Sequence, residues 1–308
     1  MKKIFILSLM AMILLMPLTG AVDVTKSITS GTEAKPLTND NGYTNITVQE
    51  AFENYLSCYC ADIQIPIDIR RQNEWDDEHI ETYGEEQEPV HWPNLHLGEG
   101  LEEFMEEYAD KEVILYCRTA NRTWTATKLL VANGFEGTIY HMLGGITAWK
   151  EAGYPTAISV HKAYEMLTSV GDGIQTPIDV RTETEWNQEH IKTDAPQNPI
   201  NYPNLHQGNK LGDFIIEYDD KETILYCNTD DRSGQAMDLL IAKMNIHEFD
   251  GYVHNMIGGM NAWKDAGYPT ASKDRSHSRF SLVPYPFFLG FLENFPNAFP
   301  ILRHILGL

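Results

Sequence analysis

The residues best suited to chemistry are two cysteines that stand at the same kind of joint. Cys117 lies where the apolar run "EVILYC" gives way to the polar loop "CRTANRT". Cys227 lies where "ETILYC" gives way to "CNTDDRS". A thiol at the end of a buried strand, followed by a tight loop and then a helix, faces the loop's main-chain N–H groups and the first helical turn. Such nests and helix N-termini stabilise anions. They favour the thiolate, which is the nucleophilic form of cysteine.

The two loops differ in charge. The first carries Arg118 and Arg122, a local charge of +2, and the second sets Asp230 and Asp231 against Arg232, a local charge of −1. At a separation of ~6 Å each charge acts on the sulfur with ~0.7–3 kcal/mol. Cys117 is therefore expected to be the main reactive residue. Cys227 is a second catalytic candidate whose turnover the residues leave open. The formal net charge of the chain is −21. Screening limits exposed charges to ~8 Å at physiological salt, so the nearby arginines are expected to set the potential at Cys117.

The elements that must position these thiols repeat along the chain. "PIDIRRQNEWDDEHI" (66–80) answers "PIDVRTETEWNQEHI" (177–191), and "MLGGITAWKEAGYPTA" (142–157) answers "MIGGMNAWKDAGYPTA" (256–271). "PNLH" occurs at 93–96 and 203–206. The offset between copies is nearly constant and grows by a few residues near "AKMNIHEFDG", which marks a small insertion in the second copy. A fixed offset over this length indicates two homologous domains. In each copy short β-branched runs, read as buried strands, alternate with helical patterns such as "ITVQEAFENYLS" and "TWTATKLLVANG". Thr47 and Glu50 form a capping-box pattern, and Ser159 stands at the corresponding cap. Strands alternating with helices imply an α/β fold, a parallel sheet covered on both faces. In such sheets ligands bind beyond the carboxyl ends of the strands, where both cysteines fall.

"YCRTANRT" resembles the active-site loop of rhodanese-like sulfurtransferases, and "IDIR…EW…HI" and "GGITAWKEAGYP" resemble that family's entry strand and closing motif. The resemblance covers roughly 44–156 and 157–271, so it implies two tandem rhodanese-like domains. It also implies a mechanism. Cys117 would take the outer sulfur of thiosulfate or a polysulfide as a persulfide and pass it to a thiol or cyanide acceptor. The N–H groups of Arg118, Thr119, Ala120, Asn121 and Arg122 would cradle the persulfide. Arg118 and Arg122 would hold the anionic donor and brace the loop, and Arg232 is the corresponding residue of the second loop. Ala120 stands where the family commonly has glycine. If that position needs a positive φ, alanine is costly there. Asn121-Arg122-Thr123 also matches a glycosylation sequon, and a working pocket implies that no glycan is attached. No metal or cofactor is implied; no histidine pair has a metal-enzyme spacing.

Two other functions remain open. One is a non-catalytic binding or scaffold module at the cell surface. The other is a cysteine-dependent phosphatase of related fold. Phosphatase loops place five residues between cysteine and arginine, whereas both loops here place four.

The chain of 308 residues, 43% hydrophobic, is long enough for two packed domains. Its acidity excludes a nucleic-acid partner, whose phosphates need a basic surface. Lys2 and Lys3, the stretch "IFILSLMAMILLM" and small residues before Val22 read as a signal peptide over 1–21, shorter than a span of ~20 apolar residues. The protein is expected to be exported, to the periplasm, cell surface or exterior. Residues 22–43 read as a linker. Residues 272–308 read as a polar linker and an apolar Pro- and Phe-rich tail, a candidate for surface or protein docking. Cys58 and Cys60 are separated by one residue, and a bridge between them would be strained, so no disulfide scaffold is expected. Asp68, Arg70, Asp179 and Arg181 are expected to brace strand ends, Trp149 and Trp263 to anchor cores, and "GEEQEP" (84–89) to be a solvated loop.

Overall fold

The computed structural model describes residues 42–58, 63–169 and 174–272. The expected signal peptide, Cys60 and the apolar tail lie outside the described residues.

The first repeat runs β1 (Thr44–Ile46), α1 (Val48–Ala51), β2 (Gln64–Asp68), α2 (Gln72–Asp77), β3 (Glu78–Ile80), β4 (Val90–His91), α3 (Leu101–Glu107), β5 (Glu112–Tyr116), α4 (Asn121–Ala132), β6 (Thr138–Met142) and α5 (Gly145–Glu151). β7 (Thr156–Ile158) follows, and the second repeat continues with α6 (Val160–Thr168), β8 (Thr176–Asp179), α7 (Glu183–Gln188), β9 (His190–Ile191) and β10 (Ile200–Asn201). It closes with α8 (Leu211–Tyr218), β11 (Glu222–Tyr226), α9 (Asp231–Asn245), β12 (Tyr252–Met256), α10 (Gly259–Asp265) and β13 (Thr270–Ala271). The chain is thus α/β, with two tandem domains of the same order.

The first sheet has the order β1-β6-β5-β2-β4, with every neighbouring pair parallel. The second has the order β10-β8-β11-β12-β7-β3, parallel except where β3 pairs antiparallel with β7. The central strands are apolar on both faces because helices cover both. Val113, Ile114, Leu115 and Tyr116 of β5 are all fully buried, as are Thr223, Ile224, Leu225 and Tyr226 of β11.

Local signals account for the helix starts. Thr47 accepts from the Glu50 N–H while Glu50 reaches back, a complete capping box; Thr182 and Glu185 form another at α7. Ser159 caps α6 by accepting from the Lys162 N–H. The insertion in the second copy takes the form of a longer helix: α9 has 15 residues where α4 has 12.

The repeats are stitched together by β7. It is the first strand of the second sheet, yet its free edge is covered by β3 of the first repeat. The expected boundary at 156/157 falls within this strand. One apolar cluster also runs across both repeats, from Phe52, Tyr116 and Trp149 to Val180, Leu225 and Phe249. Trp149 and Trp263 are fully buried, and each indole N–H donates to a proline carbonyl, that of Pro155 or Pro269. Arg70 and Arg181 brace the strand ends as expected. Each forms a buried ion pair at 2.6 Å with the aspartate two residues earlier, Asp68 or Asp179, and donates to the carbonyl of Glu78 or Glu189.

One expectation is corrected. Cys58 is disulfide-bonded, although a bridge was not expected in that segment. It follows a π-helical turn, Phe52–Leu56.

Candidate active site

Cys117 and Cys227 are both free thiols. Each stands between the carboxyl end of a central strand, β5 or β11, and the start of a long helix, α4 or α9. Each is 1% exposed.

The loop after Cys117 is held from behind. Ile146 and Thr147, in the first turn of α5, donate their N–H groups to the carbonyls of Cys117 and Arg118 at 2.9 and 3.1 Å. Among the described residues, none of the N–H groups of Arg118 to Arg122 meets a backbone acceptor. The approach is possible because residue 145 is glycine at φ +58°; a Cβ there would lie 2.2 Å from the Cys117 carbonyl oxygen. The second repeat keeps the device. Met260 and Asn261 donate to Cys227 and Asn228 at 2.8 and 2.9 Å, and Gly259 stands at φ +51°.

Ala120 adopts φ +74°, the left-handed conformation that disfavours a side chain. Two donors hold it there. Its carbonyl accepts from Thr123 Oγ1 at 2.9 Å and from His141 Nε2 at 3.2 Å, and His141 Nδ1 meets Asn45 Oδ1 at 2.9 Å. Burial pushes the His141 imidazole pKa below its ordinary value. The Thr123 hydroxyl also lies 3.8 Å from Cys117 Sγ.

Arg122 does not face solvent as a free cation. Its guanidinium grips Glu74 through two parallel hydrogen bonds of 2.8 Å, the strong fork geometry. Those bonds, followed by a hydrogen bond from the Arg71 N–H and by the Arg122 charge, hold the Glu74 carboxyl down at about 2 despite partial burial. Of the two duties expected of Arg122, bracing the loop is the one its side chain performs. Arg118 and Thr119 are exposed, and among the described residues the Arg118 guanidinium makes no ion pair. Asn121 begins α4.

The second loop is built differently. Arg232 grips Glu185 as Arg122 grips Glu74, at 2.8 and 2.9 Å, and Glu185 is likewise held at about 2. Asn228, in the place of Arg118, ties Arg181 to Glu185 with bonds of 3.0 Å on each side. Asp230 has φ −160° rather than a left-handed backbone, and its carboxylate accepts from the Gly258 N–H. Thr229 donates to Asp231 and accepts from its N–H. Ser233 replaces Thr123 and lies 3.8 Å from Cys227 Sγ.

Glu74, Thr123, His141 and Gly145 were not singled out from the sequence. Three of them had a visible signal, Gly145 recurring as Gly259 in the GG motif. Glu74 and Glu185 occupy matching repeat positions beside a tryptophan, and Thr123 and Ser233 are hydroxyl residues at the same distance from the cysteine. His141 had none, since its repeat counterpart is Asn255.

A family model for the rhodanese-like domain matches residues 49–152 and again 159–266. An uncharacterized Synechocystis protein is 35% identical over 128 residues, which is 41% of this chain; the chain spans 64% of that protein's length. Among solved structures, a rhodanese-like domain from Anabaena is 20% identical, with a TM-score of 0.31, covering 42% of this chain and 88% of that one. A thiosulfate sulfurtransferase from Pseudomonas aeruginosa is 15% identical, with a TM-score of 0.29, covering 75% of this chain and 44% of its own. With its double match to the family model, and with a cysteine loop at the end of a central strand in each repeat, the chain belongs to the rhodanese-like domain family.

Proposed function

We propose that the protein is an exported sulfurtransferase that carries sulfane sulfur on Cys117. The observation that supports this reading best is the loop itself. Its carbonyls are drawn back by α5, and its five successive amides are free to face an anion. The Cys117 thiolate attacks the outer sulfur of thiosulfate or the terminal sulfur of a polysulfide. A new S–S bond forms at Cys117 as the donor's S–S bond breaks, and sulfite or the shortened chain leaves with the electron pair. The persulfide anion rests against the amides of Arg118 to Arg122. A thiolate or cyanide acceptor then attacks the terminal sulfur, takes it as a persulfide or thiocyanate, and restores the Cys117 thiolate. Exposed Arg118 meets the anionic donor, while Arg122, tied to Glu74, keeps the loop in shape. Cys117, a residue 1% exposed, suits a slim donor that presents a terminal sulfur.

Mass spectrometry after treatment with thiosulfate or polysulfide tests this. One added sulfur atom is expected on wild type and on Cys227→Ser, and none on Cys117→Ser. Absence of added sulfur on wild type, or its appearance on Cys227 alone, would overturn the assignment.

A further inference from the structure

The run "GEEQEP" does not simply face solvent. It borders a cleft of about 590 Å³ between the two repeats, opposite the start of α9. Six carboxylates line this cleft: Glu81, Glu85 and Glu88 from the first repeat, and Asp230, Asp231 and Asp238 from the second. Among the described residues, no lysine or arginine lines it, and none of the six forms a salt bridge. Their partners are uncharged donors: Gly84 N–H to Asp238 at 2.7 Å across the two repeats, Gly258 N–H to Asp230, Thr229 to Asp231, and the Asn255 amide to Glu81.

A second feature is a buried amide oxygen. Asn255 lines the same cleft and is 6% exposed, yet its Oδ1 has no hydrogen-bond donor. A buried carbonyl oxygen left without a donor costs ~1–3 kcal/mol. It calls for an N–H or O–H from something that enters the cleft. The opposite wall is aromatic, with Trp75 stacked on His79 at 3.8 Å.

We propose that this cleft binds a small organic cation with several N–H donors, an alkyl polyamine or guanidinium compound, held by carboxylates of both repeats and by the Asn255 amide oxygen. Its volume lies within the ~300–1,000 Å³ usual for small-molecule sites. Among the described residues, no group of three or more His, Cys, Asp or Glu side chains is arranged to hold a metal ion, so dispersed N–H donors suit the acids better than a point cation. The site is separate from sulfur transfer at Cys117 and does not depend on it.

The carboxylates also record the missing charge. Burial, then Asp238 and Glu88, push the Glu81 carboxyl up to about 8, with Asp230 adding to the effect and a hydrogen bond from Asn255 opposing it. Burial and Glu85 raise Asp238 as well. His79, on the same wall, is kept neutral-leaning by burial. A bound cation would favour ionised Glu81, so binding should release a proton near neutral pH and tighten as the pH rises towards that of Glu81 ionisation.

Calorimetric titration of the full chain with spermidine, at about 0.15 M salt to suppress diffuse attraction, tests the proposal. Saturable binding is expected, with proton release seen as a buffer-dependent heat. Affinity should be higher at about pH 8.5 than at about pH 6.5. Glu81→Gln and Asp238→Asn should each weaken it about tenfold or more, and the amide oxygen of the latter can still accept from Gly84. The pair Glu102→Gln and Glu103→Gln, at exposed sites on α3, should leave it unchanged, and sulfur loading of Cys117 should be unaltered in all these variants. No saturable binding, an equal loss in the α3 variant, or equal binding of calcium chloride alone would overturn the proposal.

Discussion

The two cysteine loops share a scaffold and differ in what it holds. Both are drawn back by a glycine-started helix, both set a hydroxyl 3.8 Å from sulfur, and both lock their arginine onto a glutamate from the preceding α2 or α7. Because the arginines are paired the same way, neither distinguishes the loops electrostatically. The distinction rests on the residues around them. In the first loop Arg118 is exposed and Ala120 is held left-handed by Thr123 and His141. In the second, Asn228 is bound between Arg181 and Glu185, and Asp230 bends its carboxylate back onto Gly258. A duplicated frame can therefore keep its backbone clamps while its two copies differ in loop charge and loop shape.

The largest test of this comparison strikes the shared frame. Gly145→Ala should destabilise by about 3 kcal/mol, combining overpacking with a left-handed side chain, and should abolish sulfur loading of Cys117. Gly259→Ala should cost a similar amount in denaturant titrations, because a Cβ there would meet the Cys227 and Thr229 carbonyls at 2.4 and 2.3 Å. It should leave loading of Cys117 in the folded protein intact. Equal loss of loading in both would mean that the repeats act as one site.

Next comes conversion of the second loop. Asn228→Arg, Asp230→Ala, Asp231→Asn and Ser233→Thr together rebuild the first loop's sequence around Cys227. Sulfur loading at Cys227 should then rise about tenfold or more, following the change in local charge, as read by mass spectrometry in a Cys117→Ser background.

The glutamate clamps are expected to be weaker and unequal. Both glutamates also accept from their N-cap N–H, so Glu74→Gln should cost about 1 kcal/mol and Glu185→Gln about 2, since Glu185 alone also receives Asn228 and the Thr182 hydroxyl. Both carboxyls are depressed from 4.5 to about 2 by their arginines first. Their contribution is fully present above about pH 5 and is lost as the pH falls towards 2. The difference between wild type and each glutamine variant in urea unfolding should accordingly shrink over that acidic range.

The smallest effect is expected at the loop bend. Ala120→Gly should stabilise by about 1 kcal/mol by removing a left-handed side chain. Asp230→Gly should do the opposite, because that residue is extended and uses its carboxylate. Thermal melts of the two variants shifting in the same direction would contradict the difference in loop shape.

Much of the architecture could be read in the chain. The repeat offset, the apolar runs at β5 and β11, the caps at Thr47 and Ser159, and the aspartate-arginine pairs at the strand ends are local patterns with local causes. The cysteine joints were equally visible, since a strand, a polar loop and a helix follow one another without a break. The bracing of the loops was less so. Gly145 meets the Cys117 carbonyl across an intervening strand, and Glu74 reaches Arg122 from 48 residues away. The acidic run at 84–89 reads as a solvated loop until the second repeat is placed against it.

Sequence alone determined that the chain is a doubled α/β protein with a thiol at each strand-to-helix joint, because periodicity, capping and turn chemistry act between near neighbours. Only the tertiary structure decided which arginines are already neutralised, which loop bends left-handed, and that six carboxylates face one another across a cleft. Those outcomes depend on distances between segments far apart in the chain, and no local pattern of residues encodes such distances.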